Sequence, residues 1–229
     1  VHFLDNSIAR IDPENGHITY LKSCADILRD NGLEHLILRS GDPQDPLHLN
    51  DVEPALFGGP FFEEGDLFLS FRNLQAVLHY RPSTGEVIRV IDGPLAAQHD
   101  VDILDDQTLA IFNNATQENT GKYTSGAHKY PVSKDQVQLK HWYSEVVAFN
   151  LADGTFSEVH NEAMREGEIM TFSEGLQEFL PGGDVFVEEQ NSGVLWVIGE
   201  EGILYKDVMP SHHEGHHHLP NWTRIIPTP

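Results

Sequence analysis

The hydrophobic and polar positions of the chain follow one pattern that recurs along its length. A short apolar run is followed by a tight polar turn that contains glycine, and then by a second apolar run. These turns lie at residues 12–16, 82–85, 151–154 and 199–202. Asp/Asn-Gly and Thr-Gly turns between strand-like runs are typical of β-hairpins. The pattern therefore predicts a series of antiparallel hairpins.

Three of these hairpins are preceded by two further strands each. The nearer strand is a continuous apolar run, at residues 65–71, 107–112 and 183–187. The other strand carries an ionisable residue near its start, namely His48, His99 and Glu174. Antiparallel four-stranded units at a period of roughly 50 to 70 residues are typical of propeller blades. We predict an all-β β-propeller with about four four-stranded blades visible; a β-sandwich with irregular loops is the alternative.

Other segments depart from this strand pattern. Residues 23–38 have helical spacing with a break at Asn31-Gly32, which predicts two short helices, and residues 161–167 predict another. The polar residues from about 117 to 140 predict a long insertion, a hairpin or lid over one face. Residues 222–226 predict a last strand. We expect residues 1–229 to form a single propeller domain or its C-terminal part.

Charge and composition restrict the partners. The formal net charge is -22, which disfavours nucleic acids and anionic membrane surfaces but is compatible with a small anion in a locally positive cleft. No apolar run approaches the roughly 20 residues of a membrane span. Cys24 is the only cysteine, so no intrachain disulfide forms. The chain begins at Val1 rather than at methionine, from which we expect processing or a fragment, and no compartment is identified.

The predicted repeat brings distant residues together. The innermost strands of a propeller line its central channel, so His48, His99 and Glu174 are expected to face one small volume. Alignment of the second strands places Arg72 opposite Gln190. An arginine beside histidines and amides predicts a pocket for oxyanions. The candidate substrate-binding residues of this pocket are Asn50, Asn114, Glu174 and Gln190.

Structural roles remain open for each of these residues. A histidine at a strand start is often a structural hydrogen-bonding group. Arg72 is as well explained by an ion pair with Glu53 or Asp66. For Glu174, a structural acceptor role is favoured over that of an acid catalyst.

Four motifs occur in a fixed order along the chain. They are His48-Leu49-Asn50, Ser70-Phe71-Arg72, Thr84-Gly85-Glu86 and Gln98-His99. In order and spacing they resemble the PAPS-independent arylsulfotransferase (aryl-sulfate sulfotransferase) family. The resemblance covers most of the chain and is strongest between His48 and Asn114.

The resemblance implies a fold and a reaction. It implies a six-bladed propeller that transfers a sulfuryl group from an aryl sulfate to a phenol, and a periplasmic or secreted location. By position, His99 matches the nucleophile that forms a sulfohistidine, while Arg72 and His48 match the groups that hold the sulfuryl oxygens. A neutral imidazole can attack sulfur directly, and this scheme requires no metal or other cofactor.

Two other classes of function stay open. One is a non-catalytic propeller that binds a small anion or a partner protein, and the other is a metal-dependent propeller enzyme such as a lyase. The histidine-rich segment 212–218 could bind zinc, nickel or copper, natively or adventitiously. It is flanked by Pro210 and Pro220, which is typical of an exposed loop, and we assign it no native metal.

Overall fold

The protein is described by a computed structural model over residues 2–115 and 143–226. Its strands are β1 (Ser7–Ile11), β2 (Ile18–Ser23), β3 (Leu49–Pro54), β4 (Leu67–Phe71), β5 (Ala76–Arg81), β6 (Glu86–Asp92), β7 (Val101–Ile103), β8 (Thr108–Asn113), β9 (Glu145–Asn150), β10 (Phe156–Glu158), β11 (Leu176–Phe179), β12 (Val185–Glu189), β13 (Val194–Gly199) and β14 (Gly202–Val208). The α-helices are α1 (Cys24–Asp30), α2 (Glu34–Arg39) and α3 (Asn161–Glu166). Short 3₁₀ helices occupy Arg72–Leu74 and Gln190–Ser192.

The strands form antiparallel sheets in which neighbours in sequence are neighbours in space. The first four-stranded sheet has the order β3-β4-β5-β6, the second β7-β8-β9-β10 and the third β11-β12-β13-β14. Strands β1 and β2 form a separate two-stranded sheet. All four predicted hairpins are confirmed, because each predicted turn joins a pair of hydrogen-bonded strands. Within the described residues, the first repeat consists of the β1–β2 hairpin, without the two preceding strands that the other repeats have.

The predicted short helices are confirmed as α1, α2 and α3. The Ser23 hydroxyl caps α1 by accepting a hydrogen bond from Asp26 N at 3.0 Å, and the helix ends at Asn31, as sequence signals of this kind dictate. The Asn31 side chain then donates to Gly85 O and accepts from Val87 N. One asparagine thus ends the helix and docks it on the β5–β6 turn.

The prediction of a last strand at residues 222–226 is wrong. These residues adopt no regular structure, and Trp222 has a φ of 56°, outside the range of strands. The N–H groups of Trp222 and Thr223 donate to the Glu188 carboxylate instead of to strand carbonyls. The Glu188 carboxylate thus takes the place of the backbone carbonyl groups that would accept these hydrogen bonds in a sheet. The predicted insertion at about 117–140 lies outside the described residues.

The core consists of apolar clusters between successive layers. One lies between the first sheet and helices α1 and α2, and another between the first and second sheets, where Phe68 and Ile91 face Leu109 and Phe149. A third cluster joins Phe112 of the second sheet to strands of the third. The sheets therefore pack face against face in chain order.

The first strands of the three four-stranded sheets, β3, β7 and β11, are called the inner strands below. They lie side by side and are joined by side chains rather than by a backbone ladder. The Asp51 carboxylate accepts from Val101 N at 2.8 Å, and the Asp100 carboxylate accepts from Gln177 N at 2.9 Å. The beginnings of the inner strands therefore come together at one end of the sheets.

Candidate functional site

Strand pairing brings two of the predicted residues together. His48 precedes β3 and Arg72 follows β4, and these strands pair with Leu49 opposite Phe71. The Arg72 backbone N–H donates to His48 O at 3.0 Å. Both residues therefore lie where the inner strand of the first sheet begins.

An aspartate that sequence reasoning did not select holds His48. The Asp45 carboxylate lies 2.6 Å from His48 Nδ1 and also accepts from the His48 backbone N–H at 3.3 Å. The His48 side chain is 42% exposed, and its Nε2 makes no hydrogen bond to the described residues. Asp45 thus orients the ring and leaves one nitrogen available to a ligand. An aspartate three residues before the histidine was the only sequence signal for this pair.

Arg72 is buried, with 7% of the residue exposed. Its Nη1 donates to Asn73 Oδ1 at 2.9 Å, and the Asn73 amide donates to Asp45 O at 2.7 Å. Hydrogen bonds therefore connect Arg72 to the residue that orients His48.

No carboxylate of the described residues lies within 4.0 Å of the Arg72 guanidinium. Asp66 is paired with His79 and Arg81 instead, and Glu53 accepts from Ile103 N. The alternative in which Arg72 pairs with Glu53 or Asp66 is therefore wrong. A buried guanidinium whose positive charge is not matched by an acid favours the binding of an anion.

His99 is 4% exposed and is hydrogen-bonded through both ring nitrogens. Its Nδ1 lies 2.7 Å from Asn114 Oδ1 and 3.1 Å from Ala97 O. Since both partners are acceptors, Nδ1 must carry the proton. Nε2 then accepts a hydrogen bond from the Glu174 backbone N–H at 3.0 Å.

Burial lowers the pKa of His99 to about 4. The hydrogen bond with Asn114 raises the pKa, while the positive charges of Arg72 and His48 lower it further. His99 is therefore uncharged at neutral pH. Arg72 and His48 lie close enough to affect its ionisation, so the three residues share one electrostatic environment.

Asn50 links the inner strand of the first sheet to the segment before His99. Its Nδ2 donates to Gln98 O at 2.8 Å, while the Gln98 amide donates to Ser70 Oγ and Ala76 O. Asn50 Oδ1 and Gln98 Oε1 are both buried and have no hydrogen-bond partner in the described ranges. Such acceptors are costly to leave unpaired, which indicates a place for a donor from a ligand or from water.

The other predicted substrate-binding residues lie in different surroundings. The Asn114 amide is fully used, because its Nδ2 donates to Thr171 O and Glu174 O, both at 2.8 Å. Glu174 offers its backbone N–H to His99, while its own side chain is exposed. Gln190 begins the second 3₁₀ helix, the position that corresponds to Arg72 in the first. Its side chain makes no hydrogen bond to His48, Arg72 or His99.

Open space adjoins the hydrogen-bond network around Arg72. A cleft of about 410 Å³ lies at the same end of the first sheet. It is lined by Arg39, Asn73, Leu74, Gln75, Asp92, Gly93 and Leu95. Asn73, which accepts a hydrogen bond from Arg72, therefore also faces a space that a small molecule can enter.

A second group of ionisable side chains lies further along the inner strands. Burial raises the pKa of Asp51 to about 6 and that of Glu53 to about 7. Burial also raises the pKa values of Asp100 and Asp102, and repulsion from Asp102 adds to the effect on Asp100. The positive charge of Arg224 opposes the increase at all four carboxylates.

The described residues contain neither a cluster of metal ligands nor a helix suited to cross a membrane. Residues 2–115 and 143–226 contain no group of three or more His, Cys, Asp or Glu side chains arranged to hold a metal ion. This includes the histidine-rich segment 212–218, where the rings of His213 and His216 pack edge to face at 6.1 Å. None of the helices described above has the length and apolarity needed to cross a bilayer.

Comparisons with known proteins identify the family. The family model described as Arylsulfotransferase (ASST) matches residues 1–205. A comparison with curated proteins gives no match. The crystal structure of a protein of unknown function from Bacteroides caccae is similar, with 14% identity and a TM-score of 0.37, over 89% of this chain and 69% of that one. On the match to residues 1–205, the chain belongs to the arylsulfotransferase family.

Proposed function

We propose that the protein is an arylsulfotransferase that moves a sulfuryl group from an aryl sulfate to a phenol through a sulfohistidine at His99. In this proposal the three four-stranded sheets are consecutive blades of a β-propeller, and the inner strands line its channel. Arg72 and His48 hold the sulfuryl oxygens at the end of the channel where these strands begin.

The observation that carries the proposal is the pairing of an uncharged histidine with an arginine that has no acid partner. His99 has a pKa of about 4, so at neutral pH it has no proton on Nε2 and retains a lone pair there. Arg72 is buried without a carboxylate within 4.0 Å among the described residues, and it affects the ionisation of His99. A nucleophile and a positive charge for oxyanions are what sulfuryl transfer requires.

The reaction proceeds in two balanced steps. The Nε2 lone pair of His99 attacks the sulfur, the bond from sulfur to the aryl oxygen breaks, and a phenolate leaves with the electron pair of that bond. The positive charge that then develops on the imidazole is stabilised by Asn114 Oδ1, which accepts a hydrogen bond of 2.7 Å from the Nδ1–H group. A second phenol attacks the sulfohistidine, loses its proton to solvent or to the first phenolate, and releases His99.

Asn50 is proposed to orient the acceptor. Its Oδ1 is buried without a partner in the described part of the chain, and Gln98 Oε1 is in the same situation. The hydroxyl of a phenol would satisfy one of these oxygens. Gln190 is buried at the position that corresponds to Arg72, and we propose that it contacts the substrate from the third sheet.

A second candidate function is a non-catalytic propeller that binds a small anion. It is favoured by the hydrogen bond from Glu174 N to His99 Nε2, which occupies the lone pair that catalysis would use. In that case Arg72 and His48 would bind sulfate or an aryl sulfate, and no covalent intermediate would form.

The test is turnover of 4-nitrophenyl sulfate with a phenol acceptor, followed by mass spectrometry of the acid-sensitive intermediate. We expect release of 4-nitrophenolate and a peptide containing His99 that is heavier by one SO₃ group. His99→Ala should remove both signals, while His35→Ala, an exposed histidine on α2, should leave them unchanged. Binding of the aryl sulfate without turnover and without a modified peptide would favour the second candidate.

A further inference from the structure

One short segment contacts the reactive nitrogen of the candidate nucleophile, which is itself buried. Residues 171–175 are the last part of the connection from α3 to the inner strand of the third sheet, and the Glu174 N–H donates a hydrogen bond to Nε2 of His99. The side chains of Phe172 and Glu174 are exposed, so the segment lies at the surface of the protein. We call residues 171–175 the latch.

Two asparagines hold the latch in place. Asn191, on the second 3₁₀ helix, accepts hydrogen bonds from the backbone N–H groups of Phe172 and Ser173 at 2.9 and 3.2 Å. Asn114 Nδ2 donates to Thr171 O and to Glu174 O, both at 2.8 Å, while Asn114 Oδ1 accepts a hydrogen bond from His99 Nδ1. Asn114 thus holds both the histidine and the segment that covers it.

The backbone of the latch is fitted closely to this position. Glu174 has a φ of 59°, which is uncommon for a residue with a side chain, and Gly175 has a φ of 92°. A Cβ atom at Gly175 would lie 2.6 Å from Thr171 Cγ2 and 2.7 Å from Phe112 Cε1. Glycine is therefore required for the latch to reach His99.

We propose that the latch is a closed gate on His99, that it must open before Nε2 can react, and that Asn114 is the positioning residue that couples the two. The role of the gate in catalysis rests on the proposed function, but its opening can be tested without measuring turnover. Opening breaks the hydrogen bonds from Glu174 N to His99 and from Asn114 to Glu174 O. Each of these hydrogen bonds contributes about 1 kcal/mol of net stability, so roughly one molecule in thirty is expected to have the latch open.

Gly175→Ala is the variant that opens the gate, and Gly182→Ala is its matched control. Both glycines have a φ near 100° and belong to the third repeat, but a Cβ at Gly182 would meet no atom within 4 Å. Both substitutions therefore introduce a similar backbone strain, whereas only Gly175→Ala pushes the latch away from its neighbours.

The readout is acylation of neutral imidazoles by diethyl pyrocarbonate, measured for each histidine by peptide mass spectrometry. In the unaltered protein we expect His99 to react more slowly than the exposed His48. Gly175→Ala should accelerate the reaction of His99 about fivefold or more, the effect of losing one hydrogen bond, and should raise the pKa of His99 in NMR titration. Gly182→Ala should change neither quantity. Equal rates for His99 in the parent and both variants would overturn the proposal, as would acceleration by both variants.

Hydrogen exchange of the unaltered protein provides a test that does not depend on a variant folding. The amides of Glu174 and Gln177 are both bonded to side chains, His99 Nε2 and the Asp100 carboxylate respectively. An independent latch predicts that the Glu174 amide is protected only about thirtyfold, and that Gln177 is protected much more. Equal protection of the two amides would mean that the latch does not open by itself and would overturn the proposal. A protein with a working latch but no sulfotransferase turnover would contradict only the proposed function.

Discussion

The ion-pair network around Asp66 gives the sharpest prediction for stability. Asp66 is 1% exposed and accepts hydrogen bonds from Arg81 Nε and Nη2, both at 2.8 Å, and from His79 Nε2 at 2.7 Å. It also accepts from the Glu63 backbone N–H. His79 in turn stacks on Phe68, with ring centroids 4.7 Å apart. We expect Asp66→Asn to destabilise the first sheet strongly.

The magnitude follows from two independent arguments. Burial opposes ionisation of Asp66, but the hydrogen bonds from Arg81, Glu63 N and His79 outweigh it and lower the pKa from 3.8 to about 2. A decrease of nearly two pKa units corresponds to roughly 2.5 kcal/mol at neutral pH. Removing one partner of a buried ion pair typically costs about 3 to 5 kcal/mol. We therefore expect a loss of roughly 3 kcal/mol, or a decrease in Tm of about 6 to 12 °C for a domain of this size.

The pH dependence of the free energy of unfolding shows whether the ionised Asp66 carboxylate is the cause of this loss. A carboxylate whose pKa is lowered by folding stabilises the protein above its unfolded pKa, and this contribution disappears as the pH falls from about 4 to about 2. Burial lowers the pKa of His79, which adds a loss of stability in the same direction below its unfolded value of 6.5. Asp66→Asn should lack the part of the acid transition that lies between pH 4 and 2.

The assay is urea unfolding followed by circular dichroism across a pH series. Asp30→Asn is the control, because Asp30 also pairs with a cation, Lys22, but is exposed. Exposed pairs contribute little, so this control should stay close to the parent. If Asp66→Asn costs no more than Asp30→Asn, or keeps the full acid transition, the reasoning is refuted.

Two further predictions concern the inner strands and the C-terminal segment. Because burial raises the pKa of Asp51 to about 6 and of Glu53 to about 7, their protonated forms stabilise the fold below about pH 4, and this stability is lost as the pH rises to about 7. The lowered pKa values of His79 and His99 change the stability in the opposite direction over part of this window, so the assignment is tested by comparing two proteins. The Tm of the double variant Asp51→Asn with Glu53→Gln, relative to that of the parent, should rise from pH 4 to pH 7; a difference that does not change with pH would contradict the assignment. Glu188 holds the N–H groups of Trp222 and Thr223, so Glu188→Ala should make residues 209–226 more sensitive to limited proteolysis, whereas the exposed Glu201→Ala should not. Equal cleavage rates in the two variants would show that Glu188 does not retain the segment.

Sequence patterns predicted the local features of the fold because these are encoded by neighbouring residues. Glycine-containing turns between apolar runs determine the hairpins, and Ser23 with Asn31 determines α1. The correspondence of Arg72 and Gln190 was also predictable, since each follows a buried strand of the same length and begins a 3₁₀ helix.

Contacts made by the backbone were not predictable in the same way. The hydrogen bond from Glu174 to His99 comes from an N–H group, which every residue except proline carries, so the side chain gave no signal. The prediction that 222–226 forms a strand was wrong for a related reason: the segment has strand propensity, but carboxylates of the third sheet, from Glu188 and Glu178, accept hydrogen bonds from its N–H groups. Propensity does not reveal which acceptor a distant part of the chain supplies.

The connection of the inner strands by side chains has a consequence for how the protein folds. In the part of the chain that the structure describes, every sheet ladder joins strands that follow one another in chain order, so each sheet can form from contacts within its own repeat before it meets its neighbours. The joins between sheets, such as Asp51 to Val101 and Asp100 to Gln177, span 50 and 77 residues and can only form afterwards. Substitutions of Asp51 or Asp100 should therefore accelerate unfolding while leaving the rate of folding almost unchanged.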